Sequence, residues 1–303
     1  MEYNNLIQVS QYFKDEKTCK EHLAKLRWSG NVTCPFCNHD KVYVTKAGYK
    51  CANPKCYKKF TATVGTFFEN TKISLRKWFL AIYIMTSHKK GISSLQLSKD
   101  IGVTQKTAWF MAHRIREMLR AKNPTMLRGI IEADETYIGG KNKNRHWDKK
   151  VKGNQGRSLK DKSVVIGLYQ RNGMIISKPI ENTTTKIIPQ AIKENVKKGS
   201  HLITDELSAY VMFDGNYKHS IIKHAQGEYA NGKIHTNTIE GFWSLLKRGI
   251  IGIYHQVSEK HLEKYCNEFN FRYNTKDFNE QNRFDKSITQ CTGRLKYNEL
   301  IAE

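Results

Sequence analysis

No run of about 18 apolar residues occurs in the 303-residue chain, so it contains no candidate for a membrane-spanning helix. The N-terminus, Met1-Glu2-Tyr3-Asn4-Asn5, lacks a basic segment followed by an apolar one. No signal peptide is visible there, and a cytoplasmic location is expected. Acids are scarce: 28 Asp and Glu stand against 51 Lys and Arg, a formal charge of +23. An excess of that size repels itself unless a polyanion is the partner, and nucleic acid is the usual one. A disulfide scaffold is also excluded, because the seven cysteines are not spread through a small domain. Four fall between Cys34 and Cys56, while Cys19, Cys266 and Cys291 are scattered and read as small apolar residues. Hydrophobic residues make up 39% of the chain, enough for a real core in one large domain or in a large domain with small modules.

The clustered cysteines point to a metal. Cys34-Pro-Phe-Cys37 is followed, after 13 residues, by Cys51 and Cys56. Two close pairs on tight turns can set four thiolates tetrahedrally around one Zn²⁺. The second pair is wider than the common spacing of two intervening residues. Strands are expected at Lys41–Val44, Gly48–Lys50 and from Lys59 to Thr63. That pattern of knuckle, hairpin, knuckle and strand is a zinc ribbon, within an N-terminal region 1–70. A redox role for Cys34 and Cys37 is disfavoured because no βαβ pattern surrounds them.

Residues 74–121 read as helices, within a domain expected at 71–124. Ser74 can cap a helix from Leu75 to Met85, and Gly91 interrupts the pattern. Ser93 or Ser94 starts a second helix that Gly102 ends, and Thr104 caps a third from Gln105 to about Leu119. A short helix, a Gly turn and a longer helix form the helix-turn-helix pattern. It places Gln105, Lys106 and Thr107 where base edges are touched, and Arg114, Arg116 and Arg120 within reach of phosphates. Trp109, Ala112, Ile115 and Leu119 recur at helical spacing and should be core. The same pattern also suits a three-helix bundle that merely packs.

From residue 125 to 303 strands alternate with helices. Strands are expected at Gly129–Asp134, Ser163–Tyr169, Met174–Ile176 and His201–Asp205, with another at Ser220–Lys223 and a hairpin turn at Arg171-Asn-Gly. Helices are expected at Ile187–Lys197, Asn237–Lys247 and Ser258–Tyr273. The expected fold class is α/β with a central mixed sheet.

Asp134 and Asp205 end apolar strands, and each is followed by a second acid, Glu135 and Glu206. Glu240 lies on the helix after the last strand, with 34 residues between it and Asp205. Three carboxylates can hold two Mg²⁺ ions for phosphoryl transfer. Structural roles compete: Asp134 can open a turn, Asp205 can cap Leu207-Ser-Ala-Tyr, and Asn237 with Glu240 fits a capping box. Lys247 follows Glu240 by about two turns, so both share a face with Asn237 and a phosphate contact is feasible. Phe242, Trp243, Leu245 and Leu246 would pack the opposite side. The basic segment Gly139–Arg157 reads as a loop able to clamp a DNA backbone.

The strings from Ile131 to Gly140 (IEADETYIGG), from Thr204 to Tyr210 (TDELSAY) and from His235 to Gly249 (HTNTIEGFWSLLKRG) resemble those of bacterial insertion-sequence transposases of the zinc-ribbon-bearing DDE branch. The resemblance runs from about Cys34 to Tyr273. It implies a ribonuclease-H-like catalytic fold with catalytic acids at Asp134, Asp205 and Glu240, and with Lys247 downstream. It also implies Mg²⁺ or Mn²⁺ at the acids and Zn²⁺ at the four cysteines. The implied partners are the double-stranded DNA of transposon ends and target. A homo-oligomer in the DNA complex and a nucleoid location are expected with them. The implied reaction frees a 3′-hydroxyl with water and then transfers it to target DNA. Two rivals stay open: a zinc-ribbon and helix-turn-helix regulator without catalysis, and a metal-dependent nuclease that cuts without joining. A Ser or Tyr recombinase would need a covalent nucleophile and no carboxylate triad.

Overall fold

The computed structural model describes residues 3–122, 124–139, 146–150, 162–210, 215–222 and 234–302. Two compact units form, Met1–Arg120 with Asp277–Glu303, and Ala121–Lys276. Most of the basic segment expected as a DNA clamp, Gly139–Arg157, lies outside the described residues.

The first unit opens with helices α1 (Leu6–Tyr12) and α2 (Glu16–Trp28). Asn5 and Asp15 start them by accepting the amide hydrogens of Gln8 and Thr18. A small antiparallel sheet follows, β1 (Val42–Thr45), β2 (Gly48–Cys51) and β3 (Lys59–Phe60). Its inner face sets Tyr49 and Phe60 against Trp28 of α2, at ring distances of 5.4 and 6.2 Å. Helices α3 (Leu75–Ser87), α4 (Ser94–Ile101) and α5 (Gln105–Met118) come next. Ser74, Ser93 and Thr104 cap them, each accepting an amide hydrogen three residues on. Gly102 closes α4 at a φ of +61°, a left-handed position that glycine takes without strain. Ala112, Ile115 and Leu119 are buried as the spacing predicts, and Trp109 is half-buried.

The second unit is built on a five-stranded sheet. Its strands are β4 (Ile130–Gly139), β5 (Lys162–Gln170), β6 (Ile175–Ile180), β7 (His201–Thr204) and β8 (Lys218–Ile221), in the order β6-β5-β4-β7-β8. The first three pair antiparallel; β7 is parallel to β4, and β8 to β7. This is the mixed sheet of a ribonuclease-H-like fold. The turn from β5 to β6 places Asn172 at a φ of +55°, as an Asn-Gly turn allows. Strand β6 runs past the expected Ile176 to Ile180 and carries Pro179, which an edge strand tolerates.

Helices cover both faces of this sheet. On one side α6 (Ile187–Asn195) and Tyr210 pack against Ile131, Ala133, Ile166 and Leu168. On the other side lie α7 (Asn237–Gly249), continued by a π-helical turn (Ile250–Tyr254), and α8 (Glu259–Asn274). There Ile239, Phe242, Trp243 and Leu246 of α7 join Leu262, Cys266 and Phe269 of α8 over Ile138, Val165 and Tyr169. Gly167 of β5 matters for this packing. A Cβ there would lie 2.5 Å from the Trp243 ring and 2.9 Å from Ile239. Its bare backbone leaves the space that the indole fills.

After α8 the chain returns to the first unit as α9 (Glu280–Thr289) and α10 (Tyr297–Ile301). The third sequence segment, expected to run to residue 303, therefore parts at about Lys276. The cause is burial: Phe284 meets Tyr3, Phe13 and Phe79 at ring distances of 5.8, 5.5 and 5.5 Å. Asp285 accepts the Tyr3 hydroxyl at 2.8 Å and stands 2.9 Å from His22 Nε2. Contacts across more than 200 positions leave no periodic trace in the sequence.

The Gly167 packing gives a direct test. Gly167→Ala should destabilise the protein by about 1–3 kcal/mol through overpacking, read as a lower urea midpoint with altered tryptophan fluorescence. Wild-type stability in the variant would mean that Trp243 moves aside freely.

Candidate active site

Strand β4 carries acids on both faces because side chains alternate along it. Glu132 and Asp134 face α7, whereas Glu135 faces the α6 side. Strand β7 pairs with β4 only as far as Glu132 with Ile203, so Asp205 falls just beyond its end, level with Asp134. One carboxylate oxygen from each of Asp134, Glu135 and Asp205 lies within 4.8 Å of the others. Asp205 also accepts the Leu207 amide hydrogen at 3.1 Å, so the turn that follows β7 orients it. Glu135 accepts the hydroxyl of the buried Tyr210 at 3.1 Å. Asp134 accepts the Trp243 indole N–H at 2.9 Å. Burial, then the charges of Glu135 and Asp205, push the Asp134 carboxyl up to about 7. Crowded, desolvated oxygens of this kind suit a hard divalent cation.

The expected third acid, Glu240, is not in this group. It is exposed on the first turn of α7 and accepts the Thr236 hydroxyl at 3.0 Å. Thr236, not Asn237, occupies the cap position of α7, and its side chain makes no capping bond. The capping box of Asn237 and Glu240 is thus not formed. The reason lies on β4. The Glu132 carboxylate accepts the amide hydrogens of Thr238 and Ile239, both at 3.1 Å, so an acid from the sheet starts the helix. Asn237 is exposed at the first helical position. Lys247 is exposed two turns on, near enough to feel both Asp134 and Lys162. Burial of its stem and then Lys162 lower its pKa against the opposing pull of Asp134. Sequence patterns assigned Trp243 to packing and passed over Glu132 and Arg171. An acid two positions before Asp134, on the same face of an apolar strand, was the available sign.

The four-cysteine site forms as its spacing predicts. One sulfur from each of Cys34, Cys37, Cys51 and Cys56 lies within 4.8 Å of the others. Cys34 and Cys56 stand 3.9 Å apart, and Cys37 and Cys51 3.6 Å. Tetrahedral thiolates at about 2.3 Å from Zn²⁺ would lie about 3.8 Å apart, so the residues fit that ion. The wider second pair is accommodated by a turn in which Asn53 accepts the Lys55 amide and Tyr57 takes a φ of +46°. Burial opposes ionisation of Cys34, but hydrogen bonds from the amides of Phe36 and Cys37 and from the thiols of Cys37 and Cys51 together bring it down to about 7.

The sheet of this module has a second face. Tyr43 pairs with Lys50, and Lys50 with Lys59, across the three strands. Lys50 lies over the Tyr57 ring and Lys58 over Phe36, each at 4.7 Å. Phe36, Tyr43 and Tyr57 are about half exposed.

Of the residues expected at DNA on α5, Gln105 and Lys106 are exposed at its N-terminus and Thr107 is half-buried. Gln105 donates to Ser94 Oγ at 3.1 Å. Lys106 stands 5.2 Å from the Tyr297 ring. Arg114 is otherwise engaged. Its Nε donates to the Leu295 carbonyl and its Nη1 to that of Phe67, both at 2.9 Å. Two of its guanidinium nitrogens are thus held inside the unit. Arg116 is buried, and Arg120 stands 3.5 Å from Glu117.

Residues 126–274 match the ISXO2-like transposase domain, and residues 14–59 match the transposase zinc-ribbon domain. A protein in transposable element ISH50 of Halobacterium salinarum is 31% identical over 274 residues, covering 86% of this chain and 91% of that protein. Among solved structures, a chain of the simian T-cell lymphotropic virus intasome is 13% identical with a TM-score of 0.28, over 57% of this chain and 63% of that one. The Mos1 transposase paired-end complex with left transposon end is 11% identical with a TM-score of 0.28, over 72% of this chain and 80% of that one. Both TM-scores are too low to bear on the assignment, which rests on the domain matches, the relative and the order of the strands. By these, the chain belongs to the insertion-sequence transposases that join an N-terminal zinc ribbon to an ISXO2-like transposase domain.

Proposed function

We propose that this transposase cuts DNA at the ends of its element and joins the freed 3′-hydroxyl to target DNA, with Asp134, Asp205 and Glu240 holding two divalent cations, Mg²⁺ or Mn²⁺. The observation that carries the reading is the Asp134–Glu135–Asp205 cluster at the head of the mixed sheet, in a chain of transposase family. When bound, the cations would activate the attacking oxygen and neutralise charge on the leaving one. In the first step water attacks the phosphodiester and the bond to the 3′-oxygen breaks. In the second that 3′-hydroxyl attacks a target phosphodiester, one P–O bond forming as another breaks, with no covalent protein intermediate.

The residues divide the work. Asp134 accepts the Trp243 N–H, which aims its carboxylate. Lys247, on the face of α7 that carries Asn237 and Glu240, contacts a phosphate beside the scissile bond. Glu240 completes the cation site from the first turn of α7. Gln105, Lys106 and Thr107 meet DNA at the start of α5, read as the recognition helix of a helix-turn-helix. The outer face of the ribbon adds backbone contacts. Six lysines and no acid lie between Lys41 and Phe68, and a polyanion offsets that charge. Bringing two ends together calls for a homo-oligomer on DNA, in the nucleoid of the cell.

Labelled end DNA and a target plasmid test the chemistry directly. Wild type with Mg²⁺ or Mn²⁺ should give joined products, and Asp205→Asn should give none. Cutting without joining would make the protein a nuclease, and equal DNA binding by both with no products would leave a regulator. Glu240→Gln should lose joining as completely as Asp205→Asn; if Glu135→Gln does so and Glu240→Gln does not, the third ligand is Glu135.

Asp134 predicts a pH effect in the metal-free protein. Its folded value, about 7, exceeds the ordinary 3.8, so folding takes up a proton between them. That contribution to stability is full below about 4 and is lost as pH rises to about 7. Urea unfolding across this window should show a smaller loss for Asp134→Asn than for wild type. Equal slopes would place the Asp134 carboxyl at its ordinary value.

Zinc removal has its own signature. Cys37→Ser with Cys51→Ser should abolish the one Zn²⁺ per chain measured by elemental analysis and weaken DNA binding, because metal binding and folding of the module are coupled. Retention of zinc by the double variant would rule the four-sulfur site out.

A further inference from the structure

Glu132 is the most enclosed charge beside the carboxylate cluster. It sits on β4 two positions before Asp134, on the same face, and is 0% exposed. Its Oε2 accepts two backbone amides at the start of α7, from Thr238 and Ile239. Its Oε1 accepts Arg171 Nε at 2.9 Å, and His235 Nδ1 stands 3.5 Å from it. Arg171 Nη2 donates in turn to the His235 carbonyl at 2.9 Å, the residue just before the Thr236 cap. A buried carboxylate persists only where donors replace water, and here the donors belong to one helix end and the turn that feeds it. The positive end of the helix dipole favours the same charge.

The helix lacks a side-chain cap of its own, so its start is set by this contact. Two pins then join α7 to consecutive same-face positions of β4. Glu132 holds the first turn, and Asp134 holds Trp243 one turn further on. Between the pins lies Glu240, and one turn past the second lies Lys247. A helix pinned at two points cannot slide or turn over the strand without breaking one of them.

We propose that Glu132 is a positioning residue for the reaction: through the first turn of α7 it fixes the reach of Glu240 and Lys247 toward Asp134 and Asp205. Arg171 serves the same end by neutralising Glu132 and tying down the His235 carbonyl. The inference rests on the transposase reading for its catalytic consequence, and on the Glu132 contacts alone for its structural one.

The test uses the full-length protein and two variants, Glu132→Gln and Arg171→Gln. In the first, an amide nitrogen must face either the helix amides or Arg171, so one set of donors loses its acceptor. Hydrogen exchange of peptides spanning 236–246 should accelerate in both variants while peptides of α8 stay protected. Mn²⁺ affinity, measured by calorimetry without DNA, should fall by about tenfold, the size of effect seen when a ligand's supporting contacts are lost. In the cleavage assay kcat should fall by a similar factor, about tenfold, with KM for end DNA unchanged. The double variant should be no worse than either single one, because both act through one contact.

Unchanged exchange in 236–246 would overturn the claim that Glu132 holds the helix. Faster exchange with wild-type Mn²⁺ affinity and kcat would overturn the claim that it positions the site. If Glu132→Gln does not fold, Arg171→Gln carries the same three readouts. Failure of the wild type itself to cut or join would sink the transposase reading, while exchange and Mn²⁺ binding would still judge Glu132.

Discussion

The second unit depends on how α7 is seated on β4. A buried carboxylate from the strand takes the place of the helix's missing cap, and an indole from the helix donates to the next carboxylate along the same face. Neither contact works without the other parts of the sheet. Gly167 leaves the space in which Trp243 lies, and the antiparallel register sets that glycine opposite Asp134. Arg171, at the hairpin after β5, donates its Nε hydrogen to Glu132 at 2.9 Å. The site is thus a consequence of strand register and helix docking as much as of its acids.

The carboxylate cluster shows what such a scaffold does to chemistry. Three acids close together would repel in water and disperse. Here backbone pairing of β4 with β7 holds two of them level, and the buried Tyr210 steadies the third. The cost appears as the raised pKa of Asp134, which burial and its neighbours move to about 7. A cation would relieve that crowding, so the electrostatic strain of the folded site is itself a driving force for metal. The four-cysteine site follows the same logic, with amide hydrogens of the first knuckle already stabilising one thiolate.

Charge is arranged differently in the first unit. The outer face of the ribbon combines lysines with half-exposed rings, while its inner face is packed on Trp28. Among the described residues no acid forms an ion pair with Lys50, Lys58 or Lys59 of that face. Arginines followed another rule. Arg114 donates to the carbonyls of Leu295 and Phe67, its rigid fork of donors tying three segments of the unit together.

Local signals were legible in the amino-acid sequence wherever a few adjacent residues decide the outcome. The spacing of Cys34, Cys37, Cys51 and Cys56 determined the ribbon, since two tight turns and the short hairpin between them bring those sulfurs together. Ser74, Ser93, Gly102 and Thr104 marked the ends of helices because each acts on amides or carbonyls within one turn. Asp134 and Asp205 were visible as acids ending apolar strands, and the strings around them carried the family. Tertiary structure decided the rest. Residues 277–303 join the first unit through Phe284 and Asp285, whose partners lie more than 200 positions away. The third acid of the compact cluster is Glu135 rather than Glu240: Tyr210 holds Glu135 beside its neighbours, while Glu240 is exposed and accepts the Thr236 hydroxyl. Sequence spacing measures distance along one element, and the placement of one element on another depends on buried contacts that no local pattern encodes.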